Sequence, residues 1–262
     1  MIRSLYTGAS GMHAQQLNID TISNNLANVN TDGFKKMKME FQDLIYQTIR
    51  SAGTKTGAET STPTELQLGV GVRPVSTSKD FSQGVITQTG NPLDVAIYGD
   101  GFFRVTKDDG TESFTRDGHF KISSEGTLVT NDGFTVEPQI TVPQDTEALL
   151  IGDNGVVSVL IAGETNPQEL GQLELAKFIN PNGLKNIGQN LYAPTEASGE
   201  AVLGVPLDIG FASLKQGHIE TSNVDLVQEM VGMIAAQRSY DLNSKSIRTA
   251  DEMLQSANQL KR

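Results

Sequence analysis

Apolar residues recur every seven positions at both ends of this chain. Near the start, Leu5, Met12, Ile19 and Leu26 form such a series, flanked on the same side by Ile2, Ala9, Ile22 and Val29. That is the stripe of a long amphipathic helix, about 40 Å long at 1.5 Å of rise per residue. Near the other end, Leu226, Met233, Tyr240, Ile247 and Leu254 repeat with the same period, and Ala236, Ala250 and Ala257 follow members of that series by three residues. A seven-residue repeat sustained this long is the sequence form of coiled-coil packing. Two arrangements satisfy it: the helices cover a sheet in their own molecule, or they pack on neighbouring copies. The stripes are narrow, and the rest of the first helix is rich in Gln, Asn and Ser, which are weak helix formers and offer little burial. A helix this polar draws its missing burial from a neighbour.

Between the ends the pattern changes. All ten Phe fall between Phe34 and Phe211. From Gly99 to Glu137, acidic-Gly pairs recur at intervals of seven to nine residues: Asp100-Gly101, Asp109-Gly110, Asp117-Gly118, Glu125-Gly126 and Asp132-Gly133. Asp-Gly supports the positive φ of tight hairpin turns, so segments such as 102–105 and 127–130 read as antiparallel strands. Further strands are predicted at 139–142, 156–161 and 173–178. Residues 51–64, SAGTKTGAETSTPT, lack hydrophobic periodicity and read, taken alone, as a flexible linker. Residues 194–210 are a similar return. Because the two connectors enclose the β region in sequence, the terminal helices are expected to be neighbours in space.

Composition sharpens this picture. The formal charge is 20 − 31 = −11, and no stripe of Lys and Arg is present, which argues against a nucleic-acid partner. The charge is uneven: residues 1–30 and residues 223–262 each sum to zero, so the acid excess lies between them. Neutral ends and an acidic middle suit ends that pack against like copies and a middle that faces solvent. There is no cysteine, so disulfides and thiolate metal sites are excluded. No apolar run approaches a membrane span, and the N-terminus lacks the apolar core of a cleaved secretory signal. No membrane insertion is expected, and export, if it occurs, would not use such a signal.

Catalytic chemistry finds no purchase. His13, His119 and His218 have no second ligand at helical or hairpin spacing, so no metal site is expected. Carboxylates such as Asp108, Asp109 and Asp117 are explained by turn chemistry rather than acid–base pairing. The glycine pairs at 69–71 and 99–101 do not open a helix after a strand and lack the Lys and Ser/Thr of a nucleotide loop. The expectation is no enzyme and no cofactor.

One family accounts for what remains. The run from Ser23 through Asn25, Leu26, Ala27, Asn28, Thr31, Gly33 and Phe34 to Lys35 resembles the signature of the bacterial flagellar rod and hook proteins. The run from Ser222 through Met230 and Ala235-Ala236-Gln237-Arg238-Ser239-Tyr240 to Leu254 resembles that family's C-terminal end. Between them, Phe41 to Arg50, Gly71-Val72-Arg73-Pro74, Gly101-Phe102-Phe103 and Thr115-Arg116-Asp117-Gly118 are similar to its distal-rod branch. The resemblance covers essentially the whole chain.

The resemblance implies an α+β fold: a discontinuous domain of N- and C-terminal helices in coiled-coil packing and a central antiparallel β-rich domain, assembled into a helical tube. Five segments follow: 1–33, the first helix; 34–75, a rod-specific extension; 76–193, the outer β domain; 194–222, the return; and 223–262, the last helix. Leu5, Met12, Ile19, Leu26, Leu226, Met233, Tyr240, Ile247 and Leu254 would carry self-assembly. Asn25 to Phe34 would form the corner where the chain leaves the inner layer, with Gly33 in the left-handed conformation that ends a helix. Residues 46–75 then become a packed extension touching neighbouring subunits instead of a free linker. The implied partners are copies of the chain, proximal-rod proteins, hook subunits, the P-ring and L-ring bushings and the flagellar type III export apparatus. The implied location is the basal-body rod. The implied work is torque transmission around an export channel. Proximal-rod and hook subunits of the same family remain alternatives, as does a secreted β-rich binding module or glycan-active enzyme on turn-rich composition alone.

Overall fold

The computed structural model describes residues 2–53, 63–163 and 166–259. The chain forms an N-terminal helix, a central region of antiparallel strands and a C-terminal helix, the α+β order that the patterning predicts. It divides into two compact units, one of residues 1–27, 37–78 and 225–262 and the other of residues 28–36 and 79–224. The chain therefore crosses from one unit to the other four times. None of the described helices is long and apolar enough to cross a membrane.

The first unit is built on α1 (Ile2–Ala27) and α2 (Leu226–Gln259). Asp225 caps α2, its Oδ1 accepting from the amides of Val227 at 2.9 Å and Gln228 at 3.2 Å, which satisfies two of the free donors at a helix start. The helices run antiparallel: Gly8 lies against Ile247, Gly11 against Asn243, and Gly232 against Ile22. The seam is made of small residues. Gly8, Ala14, Ala236 and Ala250 are buried along it, and a Cβ on Gly8 would stand 2.8 Å from Ile247 Cγ1. Two ribbons complete the unit. Met37–Asp43 pairs with Val72–Lys79, and Tyr46–Arg50 pairs with Leu66–Gly69. Both flanks of the 51–64 stretch are thus hydrogen-bonded strands, while residues 54–62 lie outside the described residues.

The second unit carries the large core. Its main sheet has nine strands, with Phe102–Thr106 paired to Glu112–Thr115 on one edge and to Thr135–Glu137 and Leu175–Lys177 elsewhere. Side chains alternate across a strand, and the run Phe102 to Val105 uses both faces. Phe103 and Val105 enter one cluster with Ile97, Val136, Val157, Leu175 and Leu214. Phe102 enters another with Phe114, Phe178 and Tyr192, packed edge to face at ring separations of 4.9 to 5.8 Å. Each such buried side chain contributes about 1.5–3 kcal/mol relative to exposure.

The turn chemistry holds at three of the five acidic-Gly pairs. Gly110, Gly126 and Gly133 take positive φ at tight turns joining successive strands. Asp117-Gly118 differs. Gly118 is not left-handed, and is Gly because a Cβ there would stand 1.8 Å from the carbonyl oxygen of Val95. Asp100-Gly101 leads into a strand. Val156–Ile161 is a strand as predicted, and 173–178 contains the shorter strand Leu175–Lys177. The strand predicted at 139–142 is reduced to a bridge between Thr141 and Thr127. Pro138 and Pro143 flank it, and neither can donate to a ladder.

Candidate assembly faces and the helix-end joint

The first candidate site is the pair of terminal helices. At 100° per residue, the seam residues of α1 (Gly8, Gly11, Ala14, Ile22 and Asn25) cluster about 90° around the helix from the stripe of Leu5, Met12, Ile19 and Leu26. The stripe residues are accordingly only half-buried. On α2, Met233, Ile247 and Leu254 are half-buried, and Leu226 and Tyr240 are exposed. Ile247 alone among these nine is seen against a seam glycine. Small residues set the approach of the two helices, and they bury too little to give a strong hydrophobic period.

Sequence periodicity missed a second face of α2. Val227, Met230, Val231, Ile234 and Leu242 are 50 to 69% exposed. They project about 180° from the buried line of Glu229, Ala236 and Ala250. The ribbon of the first unit is equally uncovered: Ile45, Tyr46, Ile49, Leu66 and Leu68 are all exposed. Exposed apolar side chains that line one face of a helix, as on α2, are a candidate interaction surface.

The signature Asn25 ties the end of α1 to the strand that follows the joint. Its Nδ2 donates to the carbonyl of Met37 at 2.8 Å and to Glu229 Oε2 at 3.1 Å, and its Oδ1 accepts from the amide of Met37 at 2.9 Å. The amide is 1% exposed, so both faces of this short side chain are used. Leu26 is half-buried and Ala27 exposed where the helix stops.

Residues 28–36 belong to the second unit, where they form the joint. Asn28 accepts from Thr31 twice, its carbonyl from the Thr31 amide and its Oδ1 from the Thr31 hydroxyl, each at 3.2 Å; the Phe34 amide returns to the Thr31 carbonyl. Gly33 has φ +69°, as expected, yet it lies six residues beyond the helix end and does not cap α1. Its close approach to the Arg116–Asp117 backbone demands Gly: a Cβ would stand 2.8 Å from the Asp117 nitrogen. The Gly33 amide donates to the Glu220 carbonyl at 2.8 Å. Phe34 is buried, with the Lys79 ammonium 5.6 Å from its ring centre. Burial pushes Lys79 down to about 8.

Behind Gly33 lies a buried ionic cluster. The Lys35 ammonium, 0% exposed, donates to Glu220 Oε1 at 2.6 Å and to the Ser82 carbonyl at 2.8 Å. Arg116 Nη1 donates to the Gly99 carbonyl at 2.9 Å and to Glu220 Oε2 at 3.3 Å. One carboxylate therefore holds two cations. Burial lowers the Lys35 pKa, the nearby Arg116 charge lowers it further, and Glu220 offsets part of the effect. Burial likewise lowers Arg116. Lys35 and Arg116 stand in the motifs singled out above; Glu220 has no local signal, since its role exists only once distant segments meet.

His119 Nδ1 lies 2.9 Å from Asp117 Oδ1, and its Nε2 is 3.7 Å from Asp32 Oδ2. Among the described residues, no group of three or more His, Cys, Asp or Glu is placed to hold a metal ion.

Three family models match the chain: flagella basal body rod protein over residues 5–35, flagellar hook protein FlgE/F/G D1 domain over 96–159, and flagellar basal body rod FlgEFG protein C-terminal over 215–260. The chain is also similar along its full length to proteins named flagellar basal-body rod protein FlgG. One from Buchnera aphidicola subsp. Schizaphis graminum is 50% identical over 260 residues, covering 99% of this chain and 100% of the relative. One from Borreliella burgdorferi is 50% identical over 264 residues, covering 100% of both chains. One from Caulobacter vibrioides is 46% identical over 261 residues, covering 99% and 100%. The joint, the matched helices and these full-length relatives together place the chain in the flagellar basal-body rod protein family, alongside the FlgG proteins, a family of structural subunits and not of enzymes.

Proposed function

We propose that the chain is a structural subunit of the flagellar distal rod, self-assembling into a rigid tube that transmits torque from motor to hook and encloses the export channel. The observation that carries this reading is the uncovered apolar surface on the terminal helices of a chain whose full-length relatives are rod proteins. α1 and α2 form the inner layer, packing in coiled-coil fashion on α1 and α2 of neighbouring copies through the half-buried heptad stripe and the second face of α2. Residues 34–75 supply the rod-specific extension, and the exposed apolar side chains of its ribbon touch neighbouring subunits. Its partners at the two ends are proximal-rod proteins and hook subunits, and around it the P-ring and L-ring bushings. It is exported through the flagellar type III apparatus, and the rod it builds lies in the periplasm and reaches the outer-membrane ring.

Full-length similarity to rod proteins favours this over a hook subunit. The physical mechanism is burial on assembly. Each exposed Leu, Ile, Val or Met covered by a neighbour contributes about 1.5–3 kcal/mol, against roughly 1–2 kcal/mol for each backbone residue ordered. Electron microscopy of the purified protein brought to high concentration tests the reading. Straight tubes are expected; curved tubes would indicate a hook-like subunit, and a protein that stays monomeric at all concentrations would overturn self-assembly.

A further inference from the structure

His119 stands where the joint meets the β unit, and a histidine is the side chain that titrates near neutral pH. Its Nδ1 lies 2.9 Å from Asp117 Oδ1 and its Nε2 3.7 Å from Asp32 Oδ2. One ring thus faces a carboxylate two residues before it on one side and a carboxylate of the joint on the other. The His119 amide also donates to Asp117 Oδ1 at 3.1 Å, which holds that carboxylate in place. A third carboxylate, Asp94, is 3% exposed and lies opposite His119 in an isolated antiparallel bridge. Its oxygens accept from the Thr89 hydroxyl at 2.6 Å and from Asn91 Nδ2 at 2.9 Å. Among the described residues, no Lys or Arg forms an ion pair with Asp32, Asp94 or Asp117. Protonated His119 is the cation of this cluster.

The two protonation states of the ring act differently on the joint. With Asp117 accepting at Nδ1, a neutral ring keeps its proton there and turns the Nε2 lone pair toward Asp32, acceptor against acceptor. The imidazolium carries a proton on each nitrogen and attracts both carboxylates. Burial opposes the charged form, but the hydrogen bond to Asp117 and the charges of Asp117, Asp94 and Asp32 outweigh it and raise the pKa above 6.5. The His119, Asp32 and Asp117 side chains are 29%, 29% and 25% exposed, so the proton exchanges with solvent without unfolding. Two contacts of the joint do not titrate: the Asp32 carbonyl accepts from Asn190 Nδ2 at 3.1 Å, and the Gly33 amide donates to the Glu220 carbonyl at 2.8 Å. Loss of the charge therefore loosens the joint and does not free it.

We propose that His119 is a pH-sensitive latch on the joint: the imidazolium bridges Asp117 and Asp32 and fastens residues 31–33 to the β unit, and the neutral ring lets Asp32 go. The latch is closed below pH 6.5 and opens as pH rises through the folded value. It is a property of the single chain and does not rest on the rod reading.

The Gly33 amide reports on the latch, since its bond to Glu220 joins the joint to a strand. Its protection from exchange, corrected for the intrinsic rate at each pH, is followed from pH 6 to pH 8 on the unassembled full chain, together with the His119 ring resonances. Protection should fall several-fold at the pH where the ring titrates, and should be insensitive to low urea, the mark of local opening. His119→Gln should be flat across this range. In Asp32→Asn the new amide can donate to the neutral Nε2, so the fall should vanish there too. Asp117→Asn should move the ring and joint midpoints together to lower pH. Equal protection at pH 6 and pH 8 in the native chain would overturn the latch, as would exchange that follows global unfolding in urea. A fall that persists in His119→Gln would assign it to His13 or His218, and one that persists in Asp32→Asn would remove Asp32; either outcome ends the proposal. So would ring and joint midpoints that separate in Asp117→Asn. These readouts stand whether or not straight tubes are seen, so failure of the latch and failure of the rod reading are separable.

Discussion

Glu220 binds both Lys35 and Arg116 through its two carboxylate oxygens, and each of the three side chains is almost wholly buried. Glu220→Gln keeps the shape and removes the charge, leaving two buried cations without their anion. Breaking a buried pair in this way is expected to lower stability by about 3–5 kcal/mol. Urea unfolding of the variant measures it, and a loss below about 1 kcal/mol would mean that the cluster does not depend on the Glu220 charge. His119 gives a pH dependence. Burial opposes its charge, but the hydrogen bond to Asp117 and the charges of Asp117, Asp94 and Asp32 together raise its pKa above 6.5. A raised folded-state pKa for a base means that the stabilisation is fully present below pH 6.5 and is lost as pH rises through the folded value. Unfolding midpoints between pH 6 and 8 should fall for the native chain and stay flat for His119→Gln. Residue types at the joint were legible because Asn, Thr, Asp and Gly in that order have local backbone uses. The partners were not, since Glu220 lies 185 residues beyond Lys35.

At the scale of elements, the seven-residue period correctly indicated two terminal helices, but the strongest period does not mark the seam between them. Gly8, Gly11, Ala14, Ala236 and Ala250 set that seam, and small residues leave only a faint hydrophobic signal. The Leu, Met and Ile stripe lies beside the seam, half-covered, and Val227, Met230, Val231 and Ile234 lie opposite the seam. This arrangement separates two substitutions. Ile234→Asp adds a charge to a face exposed in the single chain and should leave helix content and unfolding midpoint unchanged while abolishing tube growth. Ile247→Asp sits against Gly8 and should also lower the helix pair's protection from amide exchange, since burying an unpaired charge costs several kcal/mol. Circular dichroism, exchange and electron microscopy on both variants check the contrast. Tubes from Ile234→Asp would remove the second face of α2 from the assembly interface.

For the whole molecule, the stretch 51–64 shows how local reading and fold can part. Taken alone, its Ser, Thr and Gly read as linker, yet its described flanks run into paired strands, Tyr46–Arg50 with Leu66–Gly69. Deleting residues 51–64 is expected to leave both units folded and to change the curvature of assembled tubes, as measured in micrographs. Straight tubes after the deletion would exclude this segment from setting stiffness. The sequence by itself determined the α+β order, the two helices, most of the turns and the family, because period, turn chemistry and long motifs are local properties of the chain. Only the tertiary structure decided that residues 28–36 belong with the β unit, that one carboxylate holds Lys35 and Arg116, and which face of each helix is left uncovered. Those depend on segments far apart in the chain meeting, as Asn25 meets Glu229 204 positions later, and no local pattern encodes such a meeting.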